Sequence, residues 1–341
     1  MINKNTRPIK SIVKVTSIAL CAALAAGAAI CIASIKPAND TYTVYADDGY
    51  FSQTTYYKTE EAYKEHLKAA YPEQKQYRTV SSELTADEEE DEQFVMGAVK
   101  SVWVAEEYDE DGNVIESHLM SKEEMENNGI PVSPASLKDP SYNFNDGGGG
   151  GSLDETIGED SEKFHYLSIE LSVTQNVVTK EYTANGAAGW DKKLTSDSSK
   201  AAEEYSPDYL GITWGGENTL KMISQSITGV YHSGLFTAEK PVDFARSTSD
   251  SYAGYVWLFF EKSEYMGKEM KRAEASVTFE SIGELKNKET CVKLTYVHTY
   301  DRYAGEPSIE ASSDGTVAAG ISMSVIPSQW QIEIDIGGIE Y

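Results

Sequence analysis

Cysteine is nearly absent from this chain of 341 residues. Of three in all, Cys21 and Cys31 fall inside an apolar run, which leaves Cys291 alone in the remainder. No internal disulfide can form there, so stability has to come from packing or from bound ions. Cys291 sits in a strand-like stretch with no helix N-terminus or basic neighbour to activate it, and reads as a buried, inert thiol. Basic residues are also scarce, 29 against 55 acidic ones, for a net charge of -26. Nucleic acid and anionic headgroups are poor partners for such a surface, while cations and basic proteins are not excluded. Histidines number five, at positions 66, 118, 165, 232 and 298. None makes a metalloprotease pair at helical spacing, and there is no cysteine cluster for zinc.

The familiar catalytic signatures are missing as well. There is no Gly-x-Ser-x-Gly elbow. His232 and Ser233 are adjacent, and adjacent strand residues point to opposite faces, so they cannot act as base and nucleophile. The glycine run 147–151 is flanked by Asp146, Asp154 and Glu155 with no lysine nearby, which excludes a phosphate cradle. In "EYDEDGNVIESH", Asp109, Asp111 and Glu116 offer oxygens around a turn, and calcium is the one cofactor such a loop could take. As an EF-hand it fails, because His118 stands where a bidentate Glu belongs; an ordinary hairpin turn explains the same residues.

What is present begins with an export signal. Lys4, Arg7, Lys10 and Lys14 precede an uncharged run from Val15 to Ile35, long enough to span a bilayer. Val44 and Ala46 fit a signal-peptidase cut between Ala46 and Asp47, so residues 1–46 read either as a cleaved signal peptide or as a retained anchor. The bulk of the chain is expected outside the cytoplasm, secreted or held to the membrane by residues 15–35. The membrane then enters only through that segment.

Residues 47–130 read as a small acidic α+β region. Thr59 caps a helix with Tyr63 and Leu67 on one face. Val102 and Val104 precede, and Val114 and Ile115 follow, an Asp111-Gly112 hairpin turn, and Ser121 with Glu124 opens a second short helix that Gly129 ends. An acidic run over 83–93 reads as solvated loop. Residues 131–162, with three prolines and five consecutive glycines, read as a flexible linker with a reach of roughly 30 Å.

From 163 to 341 the hydrophobic period becomes two. Leu167, Ile169, Leu171 and Val173 alternate with polar residues, as do Ala273 to Phe279, Val317 to Val325, and Trp330 to Ile336, each predicting a half-buried strand. "GYVWLFFE" is apolar on both faces, as a strand covered on both sides would be, and Val292, Leu294, Tyr296 and His298 share one phase. Together with a strand or strand pair over 219–234, these give about seven or eight strands. The fold class expected for 163–341 is an antiparallel β-sandwich, with a barrel as the alternative.

No catalytic residues are assigned. Trp214, Tyr231, His232, Tyr300 and Tyr303 lie near glycine-containing bends and are candidates for stacking on a glycan or a protein partner. The reading these residues favour is a non-enzymatic extracellular module that binds a cell-surface protein or glycan or serves structurally in the envelope. A secreted membrane-active protein and a hydrolase with a dispersed site are the alternatives.

Overall fold

A computed structural model describes residues 40–47, 49–70, 91–108, 114–130, 164–190, 207–215, 220–232, 237–241, 247–250, 252–259, 264–265, 268–282, 289–300, 307–310, 320–323 and 329–340. Within these, the compact unit Asp40–Tyr341 consists mostly of antiparallel β-sheet. Ten strands form one sheet. Its path runs β1 (Thr41–Asp47), β2 (Phe51–Tyr57), β3 (Glu92–Tyr108), β5 (Phe164–Asn176), β6 (Tyr182–Trp190), β13 (Lys268–Ser281), β8 (Leu220–His232) and β9 (Thr237–Pro241). Off that path, β4 (Val114–Leu119) pairs with β3 and β12 (Glu264–Tyr265) with β13.

The second sheet has the order β10 (Ser247–Asp250), β11 (Gly254–Phe259), β7 (Asp208–Trp214), β14 (Glu289–Thr299) and β17 (Gln329–Glu340). β15 (Pro307–Glu310) and β16 (Gly320–Met323) form a separate antiparallel pair. Among the described residues β1 and β9 do not pair with each other, so the large sheet does not close and the arrangement is a sandwich.

Period two decides which residues meet between the sheets. Leu167, Ile169, Leu171 and Val173 of β5, Ala273 to Phe279 of β13, Val292, Leu294 and Tyr296 of β14, and Ile332, Ile334 and Ile336 of β17 share one core. The expectation for 254–259 also holds. Trp257 and Phe259 enter that core, while Val256 and Leu258 pack on the other side with Tyr209, Val297 and Ile321.

The division expected at the linker is not a division of the sheet. β3 lies before it and β5 after it, yet they pair from Glu92↔Asn176 to Ala105↔Phe164. β2 and β4 share the other edge of β3. A strand with inward Ala98, Val102 and Val104 needs neighbours on both sides, and β5 supplies one of them. The linker and the acidic run as far as Glu90 lie outside the described residues; the end of that run, expected as solvated loop, is instead ordered, with Asp91 in a turn and Glu92 and Gln93 opening β3.

One further expectation is corrected. β5 is buried on both faces, because two helices cover its outer side. In helix α1 (Glu60–Ala70), Tyr63 and Leu67 pack with Tyr57 and Val99. The close approach depends on Gly97, where a Cβ would stand 2.8 Å from the Tyr63 ring. In helix α2 (Lys122–Asn127), Ser121 accepts a hydrogen bond from the Glu124 backbone N–H, as the capping motif predicts. Its Met125 joins Trp103, Met120 and Ile130 in a second small core.

Candidate functional site

The inward phase of the strands carries polar groups as well as apolar ones. At one end of the sandwich, here the distal end, Glu106 follows Val102 and Val104 on β3, and His165 precedes Leu167 on β5. From the other sheet come Asp208 at the start of β7 and His298 near the end of β14. These four side chains meet between the sheets. His165 Nε2 lies 3.1 Å from Glu106 Oε2, and His298 Nδ1 lies 3.1 Å from Asp208 Oδ1. His298 Nε2 is 3.9 Å from Glu106 Oε1, which makes it the charge link across the two sheets.

Hydroxyls and indoles complete the network. Tyr108 donates to Glu106 and lies 3.2 Å from His165 Nε2. Tyr296 donates to Asp208, receives a 3.1 Å hydrogen bond from Trp190 Nε1, and the Thr299 backbone N–H reaches Asp208 at 3.0 Å. Trp330 packs on His298 and donates to Ser117 at 2.8 Å, tying β17 to β4 over the cluster. Burial raises the Glu106 carboxyl, but the hydrogen bond and charge of His165, with the charge of His298 and the Tyr108 hydroxyl, outweigh it and hold the group below its ordinary value.

Exposure decides what this constellation can do. Glu106 is 5 %, His165 0 %, Asp208 1 % and His298 7 % exposed. Each acid or base is sealed and engaged by its neighbours, so the cluster is a structural tie and offers no surface to a substrate.

A second polar group lies on the outer face of the large sheet. Arg272 of β13 makes a bidentate pair with Glu170 of β5, at 2.8 and 2.6 Å, and donates through Nε to Glu274 at 2.7 Å. Tyr63 and Leu67 of α1, Ser226 and Ser276 line a hollow beside it, of about 50 Å³. That volume holds roughly three waters, far short of the roughly 300 Å³ of a small-molecule site. Close by, His66 is held below its usual value by burial, with the Arg272 charge acting in the same direction against Glu170.

The residues singled out from sequence scatter. Trp214 and Tyr231 are core residues, with Trp214 stacked on Phe279 at 5.0 Å, and present no surface for a ligand. Tyr300 is half-buried, its ring 6.2 Å from that of His298. His232 is the last residue of β8, in register with Thr237 of β9. Tyr303, Asp109 and Asp111 lie outside the described residues, while Glu116 is exposed on β4 opposite Glu107. Among the described residues no group of three or more His, Cys, Asp or Glu is arranged to hold a metal ion. Cys291 is half-buried rather than buried, and Lys293 is a basic neighbour that the expectation left out; burial, with Asp335 nearby, nevertheless pushes its thiol up to about 12.

Ala46 and Asp47, the expected processing site, are the last two residues of β1, paired with Ser52 and Phe51. Sequence reasoning missed Glu106, His165, Asp208, Glu170 and Arg272. Strand parity was the available signal for the first two.

Fold and site together define an antiparallel β-sandwich with a sealed polar tie at its distal end. No family model matches the chain, and no curated protein matches it. Solved structures similar to it include one from work on pH-induced modulation of Streptococcus parasanguinis adhesion by Fap1 fimbriae, 12% identical, covering 51% of this chain and 80% of that one, with a TM-score of 0.24. The collagen-binding domain of the Erysipelothrix rhusiopathiae surface protein RspB is 11% identical over 52% of this chain and 66% of that one, at 0.20. The C-terminal domain of the Streptococcus agalactiae antigen I/II polypeptide BspA is 5% identical over 72% of this chain and 87% of that one, at 0.23. Likeness at this level carries no argument about function, which rests on the chain's own geometry.

Proposed function

We propose that this chain is an exported, non-enzymatic β-sandwich module that binds a protein or glycan of the cell envelope through its distal end. The observation that supports this most is the sealing of Glu106, His165, Asp208 and His298: acid and base groups have been gathered, but as a clamp. Above the clamp, Tyr300 and Trp330 rest half-buried against His298, and such rings stack on sugars or on a protein surface. Their contacts with His298 reduce the cost of ordering them on binding.

The membrane-active alternative rests on the Ser/Thr-rich alternation of 220–229, in β8, and of 320–325, around β16. β8 is paired along both edges, between β13 and β9. Releasing it would strip β9 and an edge of β13 from the large sheet.

The test is retention of residues 40–341 on cell-wall and membrane-protein fractions, with Tyr300→Ala and Trp330→Ala alongside. Retention that the two substitutions weaken, with the melting temperature kept within a few degrees, supports the reading. Turnover of any substrate in a broad hydrolase screen, or retention indifferent to both substitutions, counts against it.

A further inference from the structure

The opposite end of the large sheet has a different surface. There β5 turns into β6 through Val177, Val178 and Thr179; β3 begins, with the Val177 backbone N–H bonded to the Asp91 carbonyl; and β13 ends against the start of β8 at Ser281↔Leu220. Four of the exposed large apolar side chains belong to this rim or to the row next to it: Val177 (39 %), Val178 (67 %), Ile282 (41 %) and Ile223 (47 %). Charges around them are mixed, with Lys180 and Lys221 against Asp91, Glu92, Glu181 and Glu280.

The chain enters the sheet from this same side. β1 pairs with β2 from Thr41↔Tyr57 to Asp47↔Phe51, and β2 with β3 from Tyr57↔Gly97 to Ser52↔Val102. Thr41 therefore stands level with Gly97, and Glu92 at the rim is five residues further along β3, about 17 Å away. β1 is built into the fold: Tyr42 stacks on Tyr56 at 4.8 Å, Tyr45 on Phe51 at 6.2 Å, and Thr43 bonds Thr55 at 3.0 Å. A cut after Ala46 would remove six of its seven residues and bare the edge of β2.

Only residues 36–39 separate the uncharged run 15–35 from Asp40, so Ile35 and Asp40 are five residues apart, about 17 Å at full extension. Chain length alone would then hold a bilayer that keeps that run within about 17 Å of Asp40, comparable to the distance from Thr41 to the rim. We propose that the chain is not cut at Ala46, that residues 15–35 remain as its anchor, and that Val177, Val178 and Ile282 rest on the lipid surface. This rests on reading 15–35 as an export segment, and it adds to the proposed function an orientation that turns Tyr300 and Trp330 away from the membrane. With mixed rim charge and an acidic chain, the contact is apolar and needs no anionic lipid.

The test uses the whole chain in phosphatidylcholine vesicles, with a tryptophan introduced as Val178→Trp, Ile282→Trp or, at the distal end, Ile115→Trp. Brominated phosphatidylcholine should lower the added fluorescence about twofold at 178 and 282, whose side chains would lie in the interfacial layer, and leave 115 unchanged. Mass spectrometry of the membrane fraction should find peptides that include Thr41–Ala46. Equal quenching at 178, 282 and 115 in a membrane-held chain overturns the rim contact alone. A mature chain beginning at Asp47 overturns both anchor and contact, while leaving the distal-end binding test to stand or fall by itself.

Discussion

The two ends of the sandwich solve opposite problems. At the distal end, charged groups from both sheets have been drawn inward and closed over by Trp330; at the rim, apolar groups have been left outside. Neither is what burial statistics favour, since ionisable side chains are rarely buried unless paired and exposed apolar clusters mark contacts. The distal charges are tolerated because each carboxylate meets a histidine and a hydroxyl. Among the described residues the apolar side chains of the rim have no such compensation, which is the reason a lipid contact is proposed for them.

Removing the strands that serve both ends should have the largest effect. A fragment spanning 161–341 keeps β5 but loses β3, and with it Glu106 and the wall that pairs β5 from Phe164 to Asn176. It should show no cooperative thermal transition by circular dichroism, whereas residues 40–341 melt cooperatively. A sharp melt of the fragment close to that of the longer chain would mean that the sheet is not the cooperative unit described above.

Next in size is the clamp. Asp208→Ala strips the partner from His298, Tyr296 and the Thr299 N–H together, and breaking a buried charged pair on one side costs about 3–5 kcal/mol. Urea unfolding measures this. A loss below about 1 kcal/mol would show that the distal end is not held by its charges. An equal loss is not expected for a substitution at the rim.

Acid should weaken the clamp in a definite window. Glu106 is held below its ordinary carboxyl value in the folded state, so its contribution is present above the unfolded value of about 4.5 and is lost as pH falls through the lower folded value. The penalty of Glu106→Gln, about 1–3 kcal/mol near neutrality, should therefore shrink below pH 4.5. His66 works at higher pH. Its folded value lies below 6.5, so the unfolded chain binds the proton more readily and stability falls as pH drops below 6.5; His66→Gln should flatten that upper part of the curve. Measuring unfolding free energy for both variants from pH 7 to 4 separates the two contributions.

How much of this could be read from sequence follows from strand parity. Leu167, Ile169, Leu171 and Val173 announced both a strand and its inner face, and extending the same count backwards reaches His165. Glu106 follows from Val102 and Val104 in the same way. Parity fixes a face but not a neighbour, so nothing in the sequence put β3 beside β5 across the glycine run, or β14 opposite β3. The helix start at Ser121 was legible because a cap is local; the burial of Glu170 was not, because α1, about a hundred residues earlier, supplies the cover. β6, with "TANGAAG", lacks the branched residues that mark strands, and β1 was hidden by its overlap with a plausible cleavage site.

The smallest effect on stability should come from the rim, and that is what makes it informative. Replacing Val177 and Val178 by serine removes exposed methyl groups from a turn whose Asn176 side chain caps the Val178 and Thr179 N–H groups at 3.0 and 2.8 Å. Because neither valine packs in the core, unfolding free energy should change by about 0.5 kcal/mol or less. If these residues rest on lipid, the same double substitution in vesicles should abolish the quenching contrast read at Ile282→Trp while leaving the chain membrane-held through residues 15–35. A rim that mattered to folding would instead lower stability by a kilocalorie or more, since its valines would then belong to the fold's own packing. The distal end is tested by what its loss does to folding, and the rim by how little.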